Sequence, residues 1–505
     1  MELLSEEELE AMKDKETKEL LGIPIPTTEA IDPKIFFSAE RGPGTFVPEK
    51  LALIIMSKIK FLTMRDNEDV YWYNEKEGIW QEQGETKIKE LGKQLLGDMM
   101  RNNYLTETIV YIKTSTYIDR KIFDDCPLNL LPVKNGILNL ETKELLPYTP
   151  DYYFTSKLDV KFNPEAKCPT IERFLSEIVA PDDVVLLKEI PGYCLWRKYS
   201  IQKAFLFTGG GANGKSTYLS LIAHLLGMSN VSSVSLQDLG LNRFASANLY
   251  RKFANIYADL PNVALKNPGM FKMLVGGDLI DAERKFKDKF HFFNYAKLLF
   301  SANRVPYVED ESEAFYRRWV MVNFPNQFQE NDPKTDKDLI DKLTTEEEFS
   351  GFLNIALENL RNILNNHGFS YHKTTDEIRE EYIRASDPIG AFVYDCIVES
   401  PEDFEEKEVL FNAYLDYCRE KKMIAASNPK FHKDFRKFVA VVDYRPQLED
   451  GRRPPCWKGI KLIAYVKPVK DVKVNGYINV FDKQKKLNIS DDVDKSDYPD
   501  GEEDD

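Results

Sequence analysis

The sequence predicts an α/β protein of several domains, built on a parallel sheet whose apolar strands alternate with helices. The first observation is residues 205–226, where an apolar strand runs into a glycine-rich turn and then into an amphipathic helix. The second is a pair of later apolar strands, which end in the polar residues Asp259 and Asn303. Strand, turn and helix in this order are typical of a parallel α/β sheet.

Composition narrows the class of protein. At 505 residues the chain is long enough for about three or four domains, and 43% apolar residues suffice for buried cores. We expect no membrane span, because no apolar run reaches the roughly 18 residues that a bilayer requires. We also expect no secretion signal, since the N-terminus is acidic. The six cysteines lack C-x-x-C spacing, so we expect neither a zinc site nor a disulfide framework, as suits the cytoplasm.

The net charge of −15 is concentrated at the two ends of the chain. Residues 1–22 carry a net charge of −5 and residues 488–505 carry −8, so the remainder is nearly neutral. The acidity of the whole chain therefore does not argue against a nucleic-acid partner. An acidic tail can mimic nucleic acid, but a solvated end that aids solubility is the simpler interpretation, and 471–505 is predicted to be disordered.

The region before the glycine-rich turn divides into three parts. Residues 1–45 mix acidic and proline-containing stretches and predict a flexible N-terminus. Residues 46–125 predict a small α+β module with an apolar helix at Leu51–Phe61 and an aromatic-rich hairpin at Val70–Trp80. These aromatics suit a core, and the alternative is a platform for base stacking. Residues 126–197 predict short strands and two helices.

The rest of the chain divides into a core, a C-terminal domain and the tail. Residues 198–372 hold the parallel sheet and a helical extension. In residues 386–470, three helical segments precede alternating strands with a turn at Glu449–Arg453, which predicts a winged helix-turn-helix. Its third helix and turn carry basic residues that suit DNA, or that form a solvated face: Lys430, Lys433, Arg436, Lys437, Arg452 and Arg453.

The glycine-rich turn fits the pattern G-x-x-x-x-G-K-S. Glycines let such a loop wrap its backbone N–H groups around a polyphosphate, and the next helix points its positive end at the same anion. Lys215 would then reach the β- and γ-phosphates, and Ser216 would ligate Mg²⁺. A chance match is disfavoured by the strand and the helix on either side. The predicted nucleotide contacts are Gly209, Gly210, Gly211, Ala212, Asn213, Gly214, Lys215, Ser216 and Thr217.

Hydrolysis of a nucleotide needs a carboxylate for the metal and the attacking water. Asp259 ends an apolar strand and fits the position of a Walker B acid, although it can also simply start the turn at Pro261. Leu260 stands where many motor ATPases have a second acid. The identity of the general base is therefore left open, with Glu283 and Asp278 as candidates.

Asn303 and two arginines complete the predicted catalytic set. Asn303 can hydrogen-bond the γ-phosphate or the attacking water, although asparagine also ends strands as an ordinary turn residue. Arg317 and Arg318 precede the next apolar strand, and we predict that they reach a nucleotide held by a neighbouring subunit. The alternative is a surface ion pair with a nearby acid, namely Glu309, Asp310, Glu311 or Glu313.

Residues 280–292 predict a β-hairpin with a cationic tip at Lys287-Asp288-Lys289, and Lys285 lies just before the tip. In a ring of subunits, such a hairpin would project into the central channel. Its lysines could then hold a phosphodiester backbone without reading its sequence. Lysine at a turn is otherwise ordinary solvated surface.

The order of these motifs resembles that of the superfamily 3 helicases. The matching segments are the glycine-rich loop, Arg243-Phe244, Ala258-Asp259, Gly276-Gly277-Asp278, Glu283–Phe286, Ser301–Asn303 and Arg317-Arg318. More narrowly, the chain looks like the phage and plasmid primase–helicases related to the poxvirus type. Three segments are similar to their pre-helicase domain, Pro132–Gly136, Thr149–Asp151 and Gly192-Tyr193. The resemblance covers about residues 126–465.

The resemblance implies an AAA+-like core in a hexameric ring that uses ATP and Mg²⁺ to move 3′-to-5′ on single-stranded DNA. It also implies replication of a virus, plasmid or integrated element in the host cytoplasm. By position it implies phosphate and metal contacts at Lys215 and Ser216, a Walker B acid at Asp259, a sensor at Asn303, a finger at Arg317 or Arg318 and a DNA contact at Lys287. Many such proteins carry an N-terminal primase domain. Only about 125 residues precede the pre-helicase region here, too few for that domain, so we expect no primase activity.

Three function classes are compatible with this pattern. The first is a replicative helicase that unwinds single-stranded and forked DNA. The second is an ATP-switched initiator that binds and melts origin duplex without processive unwinding. The third is a small-molecule kinase or a packaging motor, although nothing in the sequence indicates a lid or an acceptor pocket. Stimulation of ATP hydrolysis by single-stranded DNA would separate the first class from a kinase.

Overall fold

The computed structural model describes residues 31–38, 44–285, 289–310, 312–328, 338–421, 423–448 and 451–463. The acidic tail, most of the N-terminal segment 1–45 and Lys287 lie outside these residues. No helix in the described part is both long and apolar enough to cross a bilayer. The described residues form two compact units. One holds the chain up to Tyr394 together with Phe411–Phe438, and the other holds Asp395–Leu410 and the chain from Val439.

The predicted α+β module near the N-terminus consists of three helices and a four-stranded sheet. Its elements are β1 (Phe37–Ser38), β2 (Thr45–Phe46), α1 (Pro48–Lys58), β3 (Phe61–Met64), β4 (Val70–Asn74), β5 (Ile79–Gln81), α2 (Gly84–Leu96), α3 (Asn102–Ser115) and β6 (Tyr117–Ile118). The sheet order is β5-β4-β3-β6, and β4 and β5 form the predicted antiparallel hairpin. Tyr71, Tyr73 and Trp80 are buried, so the hairpin aromatics belong to the core.

A three-stranded meander and two helices connect this module to the main sheet. They are β7 (Leu130–Val133), β8 (Gly136–Asn139), β9 (Leu145–Leu146), α4 (Pro169–Ile178) and α5 (Val184–Leu195). Helix α4 buries one face, with Ile171, Phe174, Leu175 and Ile178. Helix α5 is buried over most of its length, as its apolar sequence predicts.

The core is a five-stranded parallel sheet with an added hairpin. Its elements are β10 (Ala204–Thr208), α6 (Lys215–Leu226), β11 (Val231–Ser232), α7 (Leu236–Leu241), β12 (Ala254–Tyr257), α8 (Gly269–Gly276), β13 (Leu279–Ala282), β14 (Phe290–Phe293), β15 (Lys297–Ala302), α9 (Glu313–Tyr316) and β16 (Trp319–Asn323). The strand order is β11-β12-β15-β10-β16, and every pairing is parallel. All carboxyl ends therefore meet at one edge. Strands β13 and β14 form the predicted antiparallel hairpin, whose residues 286–288 lie outside the described part.

A helical extension follows the sheet. It comprises α10 (Leu339–Leu343), α11 (Glu346–Asn366) and α12 (Thr375–Ser386). Helix α11 crosses α5 so closely that a Cβ on Gly192 would lie 2.3 Å from the Ala356 carbonyl oxygen. Helix α12 begins with a capping box between Thr374 and Glu377, and Tyr382 ties it to the core by donating to the Pro306 carbonyl at 2.8 Å.

The C-terminal segment contains the predicted helices and strands, with two differences. Its elements are α13 (Pro388–Cys396), β17 (Ile397–Glu406), α14 (Lys407–Glu420), α15 (Asn428–Phe435), β18 (Val442–Tyr444) and β19 (Cys456–Leu462). Strand β17 was not predicted, and it pairs with β19 on either side of an irregularity between Ser400 and Phe404. Helix α15 ends at Phe435, so Arg436 and Lys437 lie just beyond the helix on which they were expected. The domain limits and the winged-helix assignment remain predictions.

Candidate nucleotide-binding site

The glycine-rich loop connects β10 to α6 at the carboxyl edge of the sheet. Gly214 has a φ of +87°, and a Cβ there would lie 2.6 Å from Ile178 Cγ2, so both conformation and space require glycine. Ala212 also has a left-handed φ, of 48°, which is uncommon for a residue with a Cβ. Left-handed residues in a short loop are a way to turn backbone N–H groups into a concave site for anions.

Lys215 is the most constrained charged side chain of this loop, since it is only 4% exposed. Its Nζ donates to the Gly209 carbonyl at 3.0 Å, to Asn213 Oδ1 at 3.0 Å and to Asn303 Oδ1 at 3.1 Å. Burial lowers the pKa of Lys215, and the nearby carboxylate of Asp259 opposes that shift. Three of the predicted site residues therefore meet at one ammonium group.

Sheet register explains why residues so distant in sequence converge. Strand β15 pairs with β12 on one side and with β10 on the other, so Asp259 and Asn303 follow neighbouring strand ends beside the loop. Asp259 and Asn303 are exposed at this edge, as is Ser216 in the first turn of α6. Their oxygen atoms would be accessible to a bound ligand.

Two of these oxygens suit Mg²⁺, which prefers hard oxygen ligands and usually takes one or two carboxylates together with substrate phosphates and water. The Ser216 hydroxyl and the Asp259 carboxylate are of this kind. Among the described residues no group of three or more His, Cys, Asp or Glu side chains could hold a metal. A magnesium ion held here would use these two oxygens together with phosphate oxygens and water.

A further contact to the loop comes from the segment after β16, which sequence reasoning did not single out. The Phe328 backbone N–H donates to the Ala212 carbonyl at 2.7 Å, and Asn213 Nδ2 lies 3.4 Å from the Phe324 carbonyl. These contacts join segments more than 100 residues apart. No local pattern signals them, because they depend on β16 pairing with β10.

Arg317 and Arg318 lie before β16, at the amino edge of the sheet and opposite to Lys215. Arg317 is exposed and its guanidinium lies 3.3 Å from Gln202 Oε1. Arg318 is buried and donates to the Ala314 carbonyl. Burial lowers the pKa of Arg318, with Arg317 adding to the shift and Asp278 opposing it. Neither arginine faces the loop of its own chain.

The two candidates for a general base lie away from Lys215 in the same chain. Asp278 follows α8 at the amino edge, within electrostatic range of Arg318. Glu283 is paired with Arg243, with 3.6 Å between the guanidinium and the carboxylate. Of the acids considered as partners of the arginines, Asp310 is paired with Lys272.

The predicted DNA contacts fall in three places. At the hairpin, Lys289 is largely exposed and lies 3.4 Å from Asp281, while Lys285 is exposed at the end of β13. In and after α15, four basic residues are exposed, namely Lys430, Lys433, Arg436 and Lys437. Lys437 is paired with Asp434 at 2.9 Å, which raises the pKa of Lys437.

The third place belongs to the other compact unit and carries Arg452 and Arg453, both exposed. Arg453 donates to Gln447 Oε1 at 2.9 Å. The preceding turn residues 449–450 lie outside the described part of the chain.

Two family models match parts of the chain. A model described as D5 N terminal like matches residues 54–180, and the family of unknown function DUF5906 matches residues 207–318. The chain is also 25% identical over 297 residues to an Acanthamoeba polyphaga mimivirus protein named "Putative helicase L207/L206". That alignment covers 53% of this chain but only 30% of the viral protein. The chain is therefore similar to D5-type proteins over its N-terminal module and to a viral helicase-type protein over about half its length.

Two apo structures of the NrS-1 C-terminal region are among the similar solved structures. Their TM-scores are 0.45 and 0.41, each at 10% identity, and each alignment covers 82% of this chain and 99% of the other. Both scores lie below 0.5, so neither structure assigns the fold of this chain.

Proposed function

We propose that this chain is an ATP-dependent DNA helicase that acts in replication. The observation that carries the proposal is the convergence of Lys215, Asp259 and Asn303 beside the glycine-rich loop, at the carboxyl edge of a parallel sheet. In open α/β sheets this edge is where ligands bind. The match to the D5 N terminal like model and the similarity to a viral protein named as a helicase support replication as the setting.

The loop binds the phosphates of ATP. Its N–H groups and the N-terminus of α6 provide positive potential, and the Lys215 ammonium would exchange protein oxygens for phosphate oxygens. Ser216 and Asp259 would hold the Mg²⁺ ion, which neutralises charge on the phosphate oxygens when it is bound. Thr217, in the same helical turn, would add a further polar contact.

Asn303 orients the attacking water or holds the γ-phosphate, because its amide lies next to Lys215 at the exposed strand end. Arg317 suits the role of a finger supplied to the next subunit better than Arg318 does, since Arg317 is exposed and Arg318 is buried. A finger at the amino edge requires a neighbouring chain to complete each site.

DNA movement would use the β13–β14 hairpin, with Lys285, Lys287 and Lys289 near its tip. A hexameric ring and 3′-to-5′ movement on single-stranded DNA rest on the family resemblance. Exposed lysines on a projecting hairpin suit a contact to the phosphate backbone, which carries no sequence information.

The test is ATP hydrolysis by the full chain with and without oligodeoxythymidine. We expect the oligomer to stimulate turnover in the wild type and Lys287→Ala to abolish only that stimulation. Lys89→Ala, which removes an exposed lysine from α2, is the matched control and should behave like the wild type. If DNA changes the rate of ATP hydrolysis in none of the three proteins, the helicase proposal is wrong.

A second candidate function is an initiator that binds origin duplex and uses ATP to remodel it. The exposed basic residues Lys433, Arg436 and Lys437, and Arg452 and Arg453 in the other unit, favour duplex contact. Unwinding of a forked duplex of arbitrary sequence decides between the two. Processive unwinding supports the helicase, and melting restricted to one sequence supports the initiator.

A further inference from the structure

A cavity of about 640 Å³ lies between the N-terminal module and the parallel-sheet core. One wall comes from β4 and β5 of the module, and the other comes from segments that precede β11 and β12. It is therefore at the amino edge of the sheet, opposite to Lys215. Its size falls within the range of roughly 300–1,000 Å³ that is usual for ligand pockets.

Positive charge dominates this cavity although the whole chain is acidic. Four basic residues line it, Arg251, Lys252, Arg284 and Lys285, against two carboxylates, Glu82 and Glu283. Outside its two acidic ends the chain is nearly neutral, so this wall carries a local excess of positive charge. A concave wall of one charge sign raises the local concentration of oppositely charged ligands.

Both the backbone conformation and the side-chain nitrogens of Arg251 are energetically unfavourable. Its φ is 59°, in the left-handed region that residues with a Cβ rarely adopt. Its guanidinium lies 4.2 Å from the Phe123 ring centre and 4.5 Å from that of Tyr250. Two of its nitrogen atoms, Nε and one Nη, are buried without a hydrogen-bond partner. An arrangement that costs stability in this way is typical of a functional site.

Arg284 and Lys252 bring further positive charge to the same wall. Arg284 lies 5.4 Å from the Phe290 ring centre and 6.0 Å from that of Tyr250. Burial lowers the pKa of Lys252, Glu82 opposes that shift, and Arg284 adds to it as a nearby like charge. A bound anion would relieve the repulsion between these cations.

The cavity also offers a surface for a base. Phe244 lines the wall and is half-buried, with the Arg243 guanidinium 4.7 Å from its ring centre. Arg243 is in turn paired with Glu283, which follows β13 at the start of the hairpin loop. Cations and a partly exposed aromatic ring side by side are the combination that binds single-stranded nucleic acid.

We propose that this cavity binds a segment of single-stranded DNA, with phosphates on Arg251 and Arg284 and a base against Phe244. The inference rests on the proposed helicase function and adds to it a second DNA contact, continuous with the hairpin through Lys285. The strand would pass from the hairpin into the gap between the sheet core and the N-terminal module.

Photocrosslinking of the wild-type protein tests the location without any variant. Oligodeoxythymidine carrying 5-iodouracil is irradiated in complex with the full chain, and crosslinked peptides are mapped by mass spectrometry. We expect crosslinks at Phe244 or Tyr250. Crosslinks confined to other parts of the protein would overturn the inference, whether or not DNA stimulates ATP hydrolysis.

Affinity provides the second measurement. By fluorescence anisotropy, we expect Arg284→Gln to weaken binding of fluorescein-labelled oligodeoxythymidine roughly tenfold, the usual scale for one charge-assisted contact. It should also reduce the slope of log affinity against log salt by about 0.7. Lys89→Gln, which removes an exposed charge from α2 of the N-terminal module, should change neither. Equal affinities of the two variants would count against the inference.

The two readouts separate this inference from the helicase proposal. If DNA stimulates ATP hydrolysis but no crosslink forms in the cavity, the helicase proposal is supported and the cavity contact is wrong. If crosslinks form in the cavity but DNA does not stimulate ATP hydrolysis, the cavity contact is supported and the helicase proposal is wrong.

Discussion

At the scale of single residues, Asn303 is one of the groups that hold the Lys215 ammonium, which would contact the phosphates of a bound nucleotide. Its Oδ1 lies 3.1 Å from Lys215 Nζ. Asn303→Asp would place a carboxylate there, which pairs with the lysine and repels the γ-phosphate. In the proposed role, both Asn303→Asp and Asn303→Ala should lower kcat about 100-fold, since each removes the amide N–H group that would donate to the reacting phosphate.

Only Asn303→Asp should also raise KM for ATP, because only it adds a negative charge beside the lysine. Steady-state ATPase kinetics of the two variants measure this difference. Equal KM values would show that position 303 is not close to the phosphates of the bound nucleotide.

The two arginines before β16 should separate activity from stability. Arg317 is exposed, so Arg317→Ala should leave the melting temperature unchanged while it lowers the ATPase rate about 1,000-fold or more. Arg318 is buried and hydrogen-bonded to the Ala314 carbonyl, so Arg318→Ala should destabilise the protein by about 1–3 kcal/mol. Thermal melting and ATPase assays on the same preparations check both. If Arg317→Ala were destabilised but kept full specific activity, Arg317 would have a structural role and would not be the finger.

Much of the site was predictable from the sequence, because each member sits at the end of a recognisable strand. Lys215 follows a strand and a glycine-rich turn, and Asp259 and Asn303 each end an apolar run. The sequence did not predict that these residues meet at the Lys215 ammonium group, because that depends on β15 lying between β12 and β10. Arg251 gave no signal at all, because its left-handed backbone and its buried nitrogens are set by the segments packed around it.

At the scale of elements, the crossing of α5 and α11 depends on Gly192. A Cβ there would lie 2.3 Å from the Ala356 carbonyl oxygen, which belongs to backbone and cannot move aside. Gly192→Ala should therefore lower stability by about 1–3 kcal/mol through overpacking. Gly368→Ala, where the nearest atom is 3.9 Å away, is the matched control and should be nearly neutral. Thermal melting of the two variants distinguishes them.

Strand β15 is joined to the end of α5 by a fully buried lysine, Lys297. Its Nζ donates to three carbonyls, at 2.6 Å to Trp196, 3.3 Å to Lys198 and 2.7 Å to Tyr295. Burial lowers the pKa of Lys297 to about 7. In the unfolded chain a lysine titrates near 10.4. Between these values the unfolded chain binds a proton that the folded chain lacks, so this residue makes stability rise with pH.

This linkage predicts a comparison of the wild type with Lys297→Met. The difference in unfolding free energy, wild type minus variant, should increase by about 1–3 kcal/mol between pH 7 and pH 9. Below pH 7 it should become nearly independent of pH, because both states then hold the proton. Urea denaturation at several pH values measures the difference, with Lys89→Met as an exposed control that shows no such trend.

Element positions followed from periodicity where the signal was local. Strands β4, β5 and β10 and helix α6 lie close to their predicted places, because alternation and helical spacing are properties of neighbouring residues. Strand β17 was missed, since its middle carries Ser400, Pro401 and two acids, which favour turns. It is a strand because β19 provides its hydrogen-bond partner on both sides of an irregularity.

At the scale of the whole molecule, the proposed arginine finger lies at the edge opposite to the loop, so each active site would need residues from two chains. Lys215→Ala and Arg317→Ala proteins should each be inactive alone. Mixed at equal amounts and allowed to exchange subunits, they should recover up to about a quarter of wild-type activity, because random neighbours combine an intact loop with an intact arginine at that frequency. Mixing either variant with itself is the control. Absence of recovery despite exchange would place the finger within the same chain.

Domain organisation was the least predictable level. Sequence reasoning separated the segment from residue 386 onward, whereas Phe411–Phe438 belongs to the same compact unit as the core. Gly390 shows the link across residue 386, since a Cβ there would lie 2.4 Å from Ile383 Cγ2 and 3.0 Å from the Phe438 ring. Such contacts join residues far apart in sequence, and neither composition nor periodicity reports them.

Strand β16 connects the arginine pair to the glycine-rich loop. It begins at the arginine pair and continues into the segment that is hydrogen-bonded to the glycine-rich loop, a distance of about 16 Å along five extended residues. β16 is the edge strand of the sheet, and it pairs with β10 along all five of its residues, so it links the arginine pair directly to the loop. In the proposed assembly, a change at the nucleotide of one subunit would therefore reach the arginine that this subunit offers to its neighbour.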